Sequence, residues 1–246
     1  MRAILTFHSI DNSGAIVSYP VKLFALLLEK LHRANIPIIT LDEMLSDNTK
    51  KGVVITFDDG MQSVCKNALP ILKDYAVPAH IFIATGVIDA GELSGDQPIN
   101  VPKFEMLSWD DVTTLHDSGI RIDAHTHTHP DLRLLNINQI TDEFNLSNQA
   151  ISSKIGVAPQ YFAYPFGYHN KAVRECARSV YKASVTTELK SIKNSCDKAA
   201  LPRLDSYYLQ SPKLIENVDG LVVSAYLKMR NVMRNVKGSQ CKADSN

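Results

Sequence analysis

Side chains that can bind a metal ion or move a proton follow two apolar segments of the chain. Two carboxylates, those of Asp58 and Asp59, end one segment, and three imidazoles, those of His125, His127 and His129, follow another. Two imidazoles and one carboxylate form a ligand set for catalytic Zn²⁺, which leaves a coordination position for water or substrate. A second carboxylate can then take a proton from that water. The residue types therefore indicate metal-dependent hydrolysis.

The spacing of the histidines leaves two arrangements open. His125 and His129 share a face if the segment makes one helical turn, whereas an extended chain would align His127 with both of them. An Asp-Gly pair such as Asp59-Gly60 is also common in a plain strand-to-helix turn. The histidine run, rather than the carboxylates alone, therefore indicates a metal site.

The elements that must position these groups alternate along the chain. Short apolar, β-branched runs are separated by amphipathic stretches of helical period, which predicts repeated strand-helix units. Several runs are apolar on both faces, as in parallel strands covered by helices, and barrels of such units carry functional residues at the C-terminal ends of their strands. The predicted strands are 3–7, 37–41, 53–57, 80–84, 121–124, 161–164, 183–186 and 201–204.

Helix boundaries are indicated by proline, serine and glycine. Pro20 stands where a first helical turn would start, and Ser108 can cap a helix that Gly119 ends. A stripe of apolar residues from Ile140 onward predicts a third helix, which Gly156 closes. Further helices are predicted in 59–74 and 170–180.

Composition excludes some classes of partner. The chain has 246 residues with 26 basic and 26 acidic side chains, so its formal net charge is zero. It therefore has no long-range electrostatic attraction to nucleic acid, and no stretch approaches the ~20 apolar residues of a membrane span.

Four unclustered cysteines predict reduced thiols. Residues 1–8 lack an apolar leader, which predicts a cytoplasmic protein as written, or a secreted or periplasmic one if the chain is truncated.

Three motifs together resemble the polysaccharide deacetylase family, also called NodB-homology or family-four carbohydrate esterases. Residues 56–60 match the family's first motif, 125–129 match its H-[S/T]-x-x-H motif, and 162–167 resemble a variant of its third. The resemblance covers roughly residues 1–204. It implies an α/β fold, a single-domain, distorted and incomplete (β/α)7-type barrel in 1–210. The sequence itself predicts a C-terminal helix and a disordered tail in 211–246.

The resemblance also assigns roles to individual residues. It implies Asp58 as general base, with Asp59, His125 and His129 as ligands of one divalent metal. Zn²⁺ is favoured, and Co²⁺, Ni²⁺ or Fe²⁺ can use the same ligands. The third motif would form a groove wall, where the backbone N–H of Phe166 helps to hold the oxyanion. The residues of this wall are Tyr164, Pro165 and Phe166.

At two positions this chain departs from the family pattern, so other residues must supply the roles of the residues that are missing. Many members carry Arg where this chain has Ala163, and a late Leu-x-His acid where it reads Leu-Pro-Arg in 201–203. His8 resembles the acid histidine of members that place it after the first strand, and first and last strands of a closed barrel are neighbours. We therefore predict His8 as the acid. Arg203 is predicted to replace the missing Arg beside Asp58.

Four further features receive roles from the sequence. His127 is predicted to lie outside the metal set, at the rim or behind the ligands. Trp109 and Tyr168 are candidates for stacking on a sugar, although Trp109 also fits a packing role at the start of its helix. Residues 86–107 are either a rim loop over the site or an insertion. The helix from 221 onward packs on the barrel or lies on a membrane surface. The sequence does not indicate an oligomeric state.

The function implied is removal of acetyl groups from an N-acetylated polysaccharide or oligosaccharide. Alternatives are hydrolysis of a non-sugar C–N bond on the same fold and a carbohydrate-binding pseudoenzyme. A metal-dependent phosphoesterase is a more distant alternative, because Asp123, His125 and His127 resemble the D-x-H-x-H opening of that class. That interpretation leaves 56–60 and 164–167 unexplained.

Overall fold

Seven parallel strands form the centre of the molecule. The computed structural model describes residues 2–88, 91, 103–216, 226, 229 and 230. Within these residues the strands hydrogen-bond in chain order and close into a barrel. The strands are β1 (Arg2–Phe7), β2 (Gly52–Phe57), β3 (His80–Ile83), β4 (Arg121–Ala124), β5 (Tyr161–Ala163), β6 (Ala183–Leu189) and β7 (Leu201–Asp205).

The barrel closes between the first and last strands. β1 pairs with β2 over all six residues, and on its other side Leu5 of β1 pairs with Leu204 of β7. The ladder between β6 and β7 shifts register between Val185 and Leu189, which distorts the ring on that side. The predicted α/β fold, a distorted (β/α)7 barrel, is therefore confirmed, with seven strands in a closed ring.

Helices cover the outside of the barrel, and their ends follow the predicted signals. Ser108 forms a capping box with Asp111, and Gly156 ends the longest helix with a left-handed φ of 73°. Residues 64–68 form a π-helical turn that leads into α3. The helices are α1 (Val21–Arg33), α2 (Leu41–Ser46), α3 (Leu69–Asp74), α4 (Trp109–Asp117), α5 (Ile137–Ile155), α6 (Lys171–Val180) and α7 (Pro212–Glu216).

The predicted strand at 37–41 is wrong. In this segment Ile38 makes an isolated parallel bridge to Val53, and the chain then enters α2. The cause is a capping box that the sequence reasoning overlooked: the Thr40 hydroxyl accepts from the backbone N–H of Glu43, whose carboxylate accepts from the backbone N–H of Thr40. The apolar segment is therefore a connector that pairs with the start of β2 through this single bridge.

The barrel interior is apolar in its lower part and polar at its rim. One buried cluster draws side chains from six of the seven strands, so it fills the inside of the ring. Alternation along β2 and β7 points Asp58 and Arg203 to the same interior face, one layer above this cluster. The strand members of the cluster are Ile4, Val54, Phe82, Tyr161, Ala163, Ala183, Val185 and Leu201.

Several predictions concern segments that are described only in part. Most of 86–107 and of 211–246 lies outside the described residues, so the rim loop, the disordered tail and the boundary at 210 stay predictions. Among the described residues, no helix is long and apolar enough to span a membrane. Cys65, Cys176 and Cys196 form no disulfide with one another, Cys241 lies outside the described part, and the reduced state stays a prediction.

Candidate active site

The carboxyl ends of four strands bring the predicted functional residues to one rim. His8 follows β1, Asp58 and Asp59 follow β2, His125 follows β4, and Phe166 lies three residues beyond β5. Because the strands are parallel, these positions meet at the same end of the barrel. The backbone N–H of Asp58 also donates to the carbonyl of Phe7, which extends the ladder by one residue and holds His8 beside the two carboxylates.

Asp59, His125 and His129 form a buried cluster whose donor atoms face one point. The Nε2 atoms of His125 and His129 are 3.2 Å apart, and they lie 3.2 and 3.5 Å from Oδ1 of Asp59. Ligand atoms bound tetrahedrally to Zn²⁺ at about 2.0–2.1 Å are themselves about 3.3 Å apart. The three residues therefore fit a single divalent metal ion of this size.

The ring of His125 is held in the orientation and tautomer that a metal ligand requires. Its Nδ1 lies 2.7 Å from the carbonyl oxygen of Ala163, which can only accept, so Nδ1 carries a proton and Nε2 is directed to the cluster, where a metal ion would take the place of the Nε2 proton. For His129, burial and the neighbouring His125 lower the pKa to about 4. A neutral imidazole is the form that binds metal.

The histidine segment adopts neither of the two conformations considered from its spacing. Thr126 and His129 have φ values of 67° and 60°, in the left-handed region, so the chain turns sharply twice between β4 and residue 130. The hydroxyl of Thr126 accepts a hydrogen bond from the backbone N–H of His129 at 3.0 Å. His127 lies outside the cluster, with Nδ1 3.0 Å from the hydroxyl of Thr85.

Asp58 is directed away from the metal cluster and toward Arg203. The guanidinium makes a paired contact with the carboxylate, Nη1 to Oδ1 at 2.7 Å and Nη2 to Oδ2 at 2.5 Å. Nε of Arg203 donates to the carbonyl of Thr186, which fixes the plane of the guanidinium. Burial alone would raise the pKa of Asp58, but Arg203 reverses this effect and holds the pKa below its usual value. The carboxylate is thus ionised and oriented.

Asp59 differs from its neighbour because of its backbone. Successive side chains of a strand point to opposite faces, but Asp59 has a left-handed φ of 72° and leaves the strand. Its carboxylate therefore contacts His125 and His129 while Asp58 contacts Arg203. Burial would raise the pKa of Asp59, and the hydrogen bond from His125 lowers it well below its ordinary value.

His8 lies near both carboxylates. Its charge, when protonated, lowers the pKa of Asp58 and of Asp59 and also that of His129, so all three groups are within electrostatic reach of its ring. The ring is half-buried, and its two neighbours in the chain, Phe7 and Ser9, are buried. The barrel therefore brings the predicted acid, His8, close to the predicted base, Asp58.

The third motif covers one side of the cluster. The ring of Phe166 lies edge-on to His129, with centroids 4.6 Å apart, and only this wall residue is partly accessible. Tyr164 and Pro165 are buried, and the hydroxyl of Tyr164 donates to the carbonyl of Ala199 at 2.7 Å. That these two residues line a groove stays a prediction.

The two stacking candidates occupy different surroundings. Tyr168 is exposed next to Phe166, and the guanidinium of Arg133 lies 3.9 Å above its ring. Trp109 packs against the barrel core, with the ammonium group of Lys154 5.6 Å from the ring centroid. Tyr168 is placed to extend the wall formed by Phe166. Sugar stacking by either residue stays a prediction.

The phosphoesterase alternative is not supported by the geometry of its motif. The carboxylate of Asp123 accepts from Nδ1 of His80 at 2.8 Å and from the backbone N–H groups of Gln160 and Tyr161. It is therefore part of a buried structural network, and both Asp123 and His127 lie outside the metal cluster. Only one residue of that motif, His125, belongs to the cluster.

Three contributors to the site were not identified from the sequence. They are the carbonyl of Ala163, the hydroxyl of Thr85 and the carboxylate of Glu143, which accepts hydrogen bonds from the histidine segment. Each reaches the site from a different element; Thr85 and Glu143 lie outside the three motifs, and Ala163, although within the third, contributes only its backbone carbonyl. No signal in a single sequence points to them.

The barrel with its candidate metal site fits the class of metal-dependent hydrolases, and comparison with known proteins identifies the family. Residues 46–183 match the family model for polysaccharide deacetylases, so the chain belongs to that family. YxkH of Bacillus subtilis strain 168 is 29% identical over 192 residues, which cover 75% of this chain and 64% of that protein. The poly-beta-1,6-N-acetyl-D-glucosamine N-deacetylase of Staphylococcus aureus strain MSSA476 is 27% identical over 182 residues, or 69% of this chain and 56% of that protein.

Solved structures agree with this assignment. The Streptococcus pyogenes deacetylase PplD in complex with acetate superposes with a TM-score of 0.74 at 25% identity, over 86% of this chain and 95% of that one. IcaB from Ammonifex degensii has the same fold, with a TM-score of 0.72 at 20% identity over 88% and 98% of the two chains. The chain thus spans nearly the whole of these structures but less than two thirds of the curated relatives' length.

Proposed function

We propose that this protein is a metal-dependent hydrolase that removes acetyl groups from the amino groups of an N-acetylated sugar polymer or oligosaccharide. The observation that carries the proposal is the pairing of two adjacent carboxylates with different partners: Asp59 with two imidazoles, and Asp58 with a buried arginine. This division suits a metal site with a separate base. The similarity to the S. aureus enzymes favours a polymer of N-acetylglucosamine as substrate.

Asp59, His125 and His129 would hold the metal, for which Zn²⁺ is favoured by two neutral imidazoles and one carboxylate. When bound, such an ion polarises a carbonyl and lowers the pKa of a neighbouring water to about 7. The acetate in the structure of PplD supports a site of this kind for the acetyl group. Cobalt, nickel and iron can use the same ligands.

Asp58 would act as the base. Its carboxylate accepts a proton from the attacking water, whose hydroxide forms a new bond to the acetyl carbon. Arg203 occupies one lone pair of each carboxylate oxygen and leaves the others open. The arginine thereby keeps the base ionised without blocking it.

His8 would act as the acid. As the C–N bond breaks, the imidazolium donates a proton to the amine nitrogen, so acetate and a free amine are released. The backbone N–H of Phe166, whose ring lies beside His129, would donate to the negative charge that develops on the acetyl oxygen. Every proton in the step therefore has a donor and an acceptor among residues at this rim.

A substrate panel combined with one variant tests the proposal. We expect zinc-loaded protein to release acetate from oligomers of β-1,6-linked N-acetylglucosamine faster than from acetylated xylan or simple amides. Asp58→Asn should reduce this release about 10²–10⁴-fold, the range for loss of a general base, while zinc binding is kept. Asp110→Asn, an exposed carboxylate on α4, is the matched control. A near-normal rate in the Asp58 variant would contradict the assigned role.

A further inference from the structure

The segment that carries both histidine ligands needs support from outside itself. Its two left-handed residues, Thr126 and His129, have a backbone conformation that is unfavourable for residues other than glycine. His129 is itself a proposed ligand, so the sharp turn at this residue directly sets the position of its ring. A conformation of this kind persists only where surrounding contacts hold it.

Glu143 on α5 supplies three such contacts. Its Oε2 accepts hydrogen bonds from the backbone N–H groups of His127 and Thr128 at 2.8 and 2.9 Å, and its Oε1 accepts from the hydroxyl of Thr128 at 2.7 Å. Hydrogen bonds to an ionised carboxylate are stronger than those between neutral groups. One side chain thus binds the middle of the segment, between the two imidazoles of the cluster.

The helix that presents Glu143 is firmly anchored. The next residue, Phe144, is 1% exposed, and its ring packs edge-on against Phe162 of β5 at 4.8 Å and against Tyr181 at 5.4 Å. Opposite Glu143, the backbone N–H of Gly86 donates to the carbonyl of His127 at 2.7 Å. The segment is therefore held between α5 and the end of β3.

We propose that Glu143 is a positioning residue that sets metal affinity by fixing the conformation of residues 125–129. The inference rests on the proposed function, since it concerns the same metal site. Glu143 does not contact the donor atoms of the cluster, so its effect reaches the metal through the backbone of His127 and Thr128. Loss of a residue that orients metal ligands in this way typically weakens binding 10–100-fold.

The test measures zinc affinity by competition with a chelator in the full chain, for the wild type and for Glu143→Ala. We expect a loss of 10–100-fold in the variant, with thermal unfolding and circular dichroism used to confirm that it is folded. Asp142→Ala, an exposed carboxylate next to it on α5, should bind zinc as the wild type does. Amide exchange of His127 and Thr128 in the metal-free protein should be faster in Glu143→Ala only.

Conservative variants keep the test decisive if the alanine variant does not fold. Glu143→Gln retains one acceptor oxygen and should lose less affinity than alanine, and Thr128→Val removes only the hydroxyl contact. Wild-type affinity or wild-type exchange rates in folded Glu143 variants would overturn the inference alone. A wild-type protein that binds no zinc would overturn both this inference and the proposed function.

Discussion

Asp58 and Asp59 are adjacent in sequence but have different partners, and this difference depends on two residues. The left-handed backbone of Asp59 redirects one carboxylate to the histidines, and Arg203 captures the other. The pairing with Arg203 could be predicted because the family's usual arginine is missing and Arg203 replaces a usual histidine. The backbone of Asp59 could not, because left-handed φ at a non-glycine residue depends on tertiary contacts.

At this scale we predict that Arg203 sets the pH dependence of the base. Burial raises the pKa of Asp58, but the charge and hydrogen bonds of Arg203 bring that pKa below its ordinary value. The wild-type carboxylate therefore stays ionised at a lower pH than an ordinary aspartate does. Arg203→Met should raise that pKa, and the acidic limb of the kcat/KM profile should move to higher pH. Arg203→Lys keeps one charge and should move it less.

The control for this prediction is Arg178→Met, since Arg178 forms an exposed ion pair with Asp197 far from the base. Loss of one partner of a buried ion pair typically destabilises a protein by about 3–5 kcal/mol, so the profiles must be recorded well below the unfolding temperature of the Arg203 variant. An unchanged acidic limb in folded Arg203→Met would show that the arginine does not tune Asp58.

The elements that hold the site follow from local sequence where caps and periodicity agree. Ser108, Gly156 and the buried strands were predicted on these grounds and are confirmed. The segment at 37–41 was mistaken for a strand because its β-branched run outweighed the capping signal at Thr40. The histidine segment was unpredictable in detail, since the hydrogen bonds that hold its backbone come from Thr85, Gly86 and Glu143 on other elements.

The wall after β5 depends on a close approach that allows only glycine. A Cβ at Gly167 would lie 2.1 Å from Oγ1 and 2.7 Å from N of Thr187, and Gly167 has a φ of 72°. Gly156 has a similar φ of 73°, but a Cβ added there would have no atom within 4 Å. We expect Gly156→Ala to lower the free energy of unfolding by about 1–2 kcal/mol, the cost of a left-handed alanine.

Gly167→Ala should carry the same cost and in addition displace the wall, so we expect a larger loss of stability and a reduced kcat. Denaturant unfolding of both variants, together with acetate release, makes the comparison. Equal losses of unfolding free energy in the two variants would mean that Thr187 can shift at little energetic cost. The close approach at Gly167 would then not determine the position of the wall.

At the scale of the whole molecule, closure of the barrel is what completes the site. β1 pairs with β2 on one side and with β7 on the other, so His8, near the start of the chain, follows a strand that lies between the one that precedes the two carboxylates and the one that carries Arg203. The closed barrel of seven parallel strands is consistent with membership of the polysaccharide deacetylase family. The roles of His8 and of the metal depend on this arrangement as a whole.

We predict that His8 is needed only when the leaving group requires a proton. His8→Asn should slow acetate release from an N-acetylated sugar about 10²–10⁴-fold, because an amine is a poor leaving group without its proton. Hydrolysis of 4-nitrophenyl acetate, whose leaving group departs as an anion, should change little. His116→Asn, on α4, serves as control. Equal losses on both substrates would indicate that His8 positions the other groups and is not the acid.

Metal-dependent deacetylation is best tested by measuring acetate release from an N-acetylglucosamine oligomer while Zn²⁺ is titrated into chelator-treated protein. We expect no release without metal, a rise in proportion to bound zinc, and saturation at one ion per chain. Asp59→Ala and His129→Ala should show neither binding nor release. Release that persists without metal, or no release with one equivalent of zinc bound, would contradict a metal-dependent deacetylase.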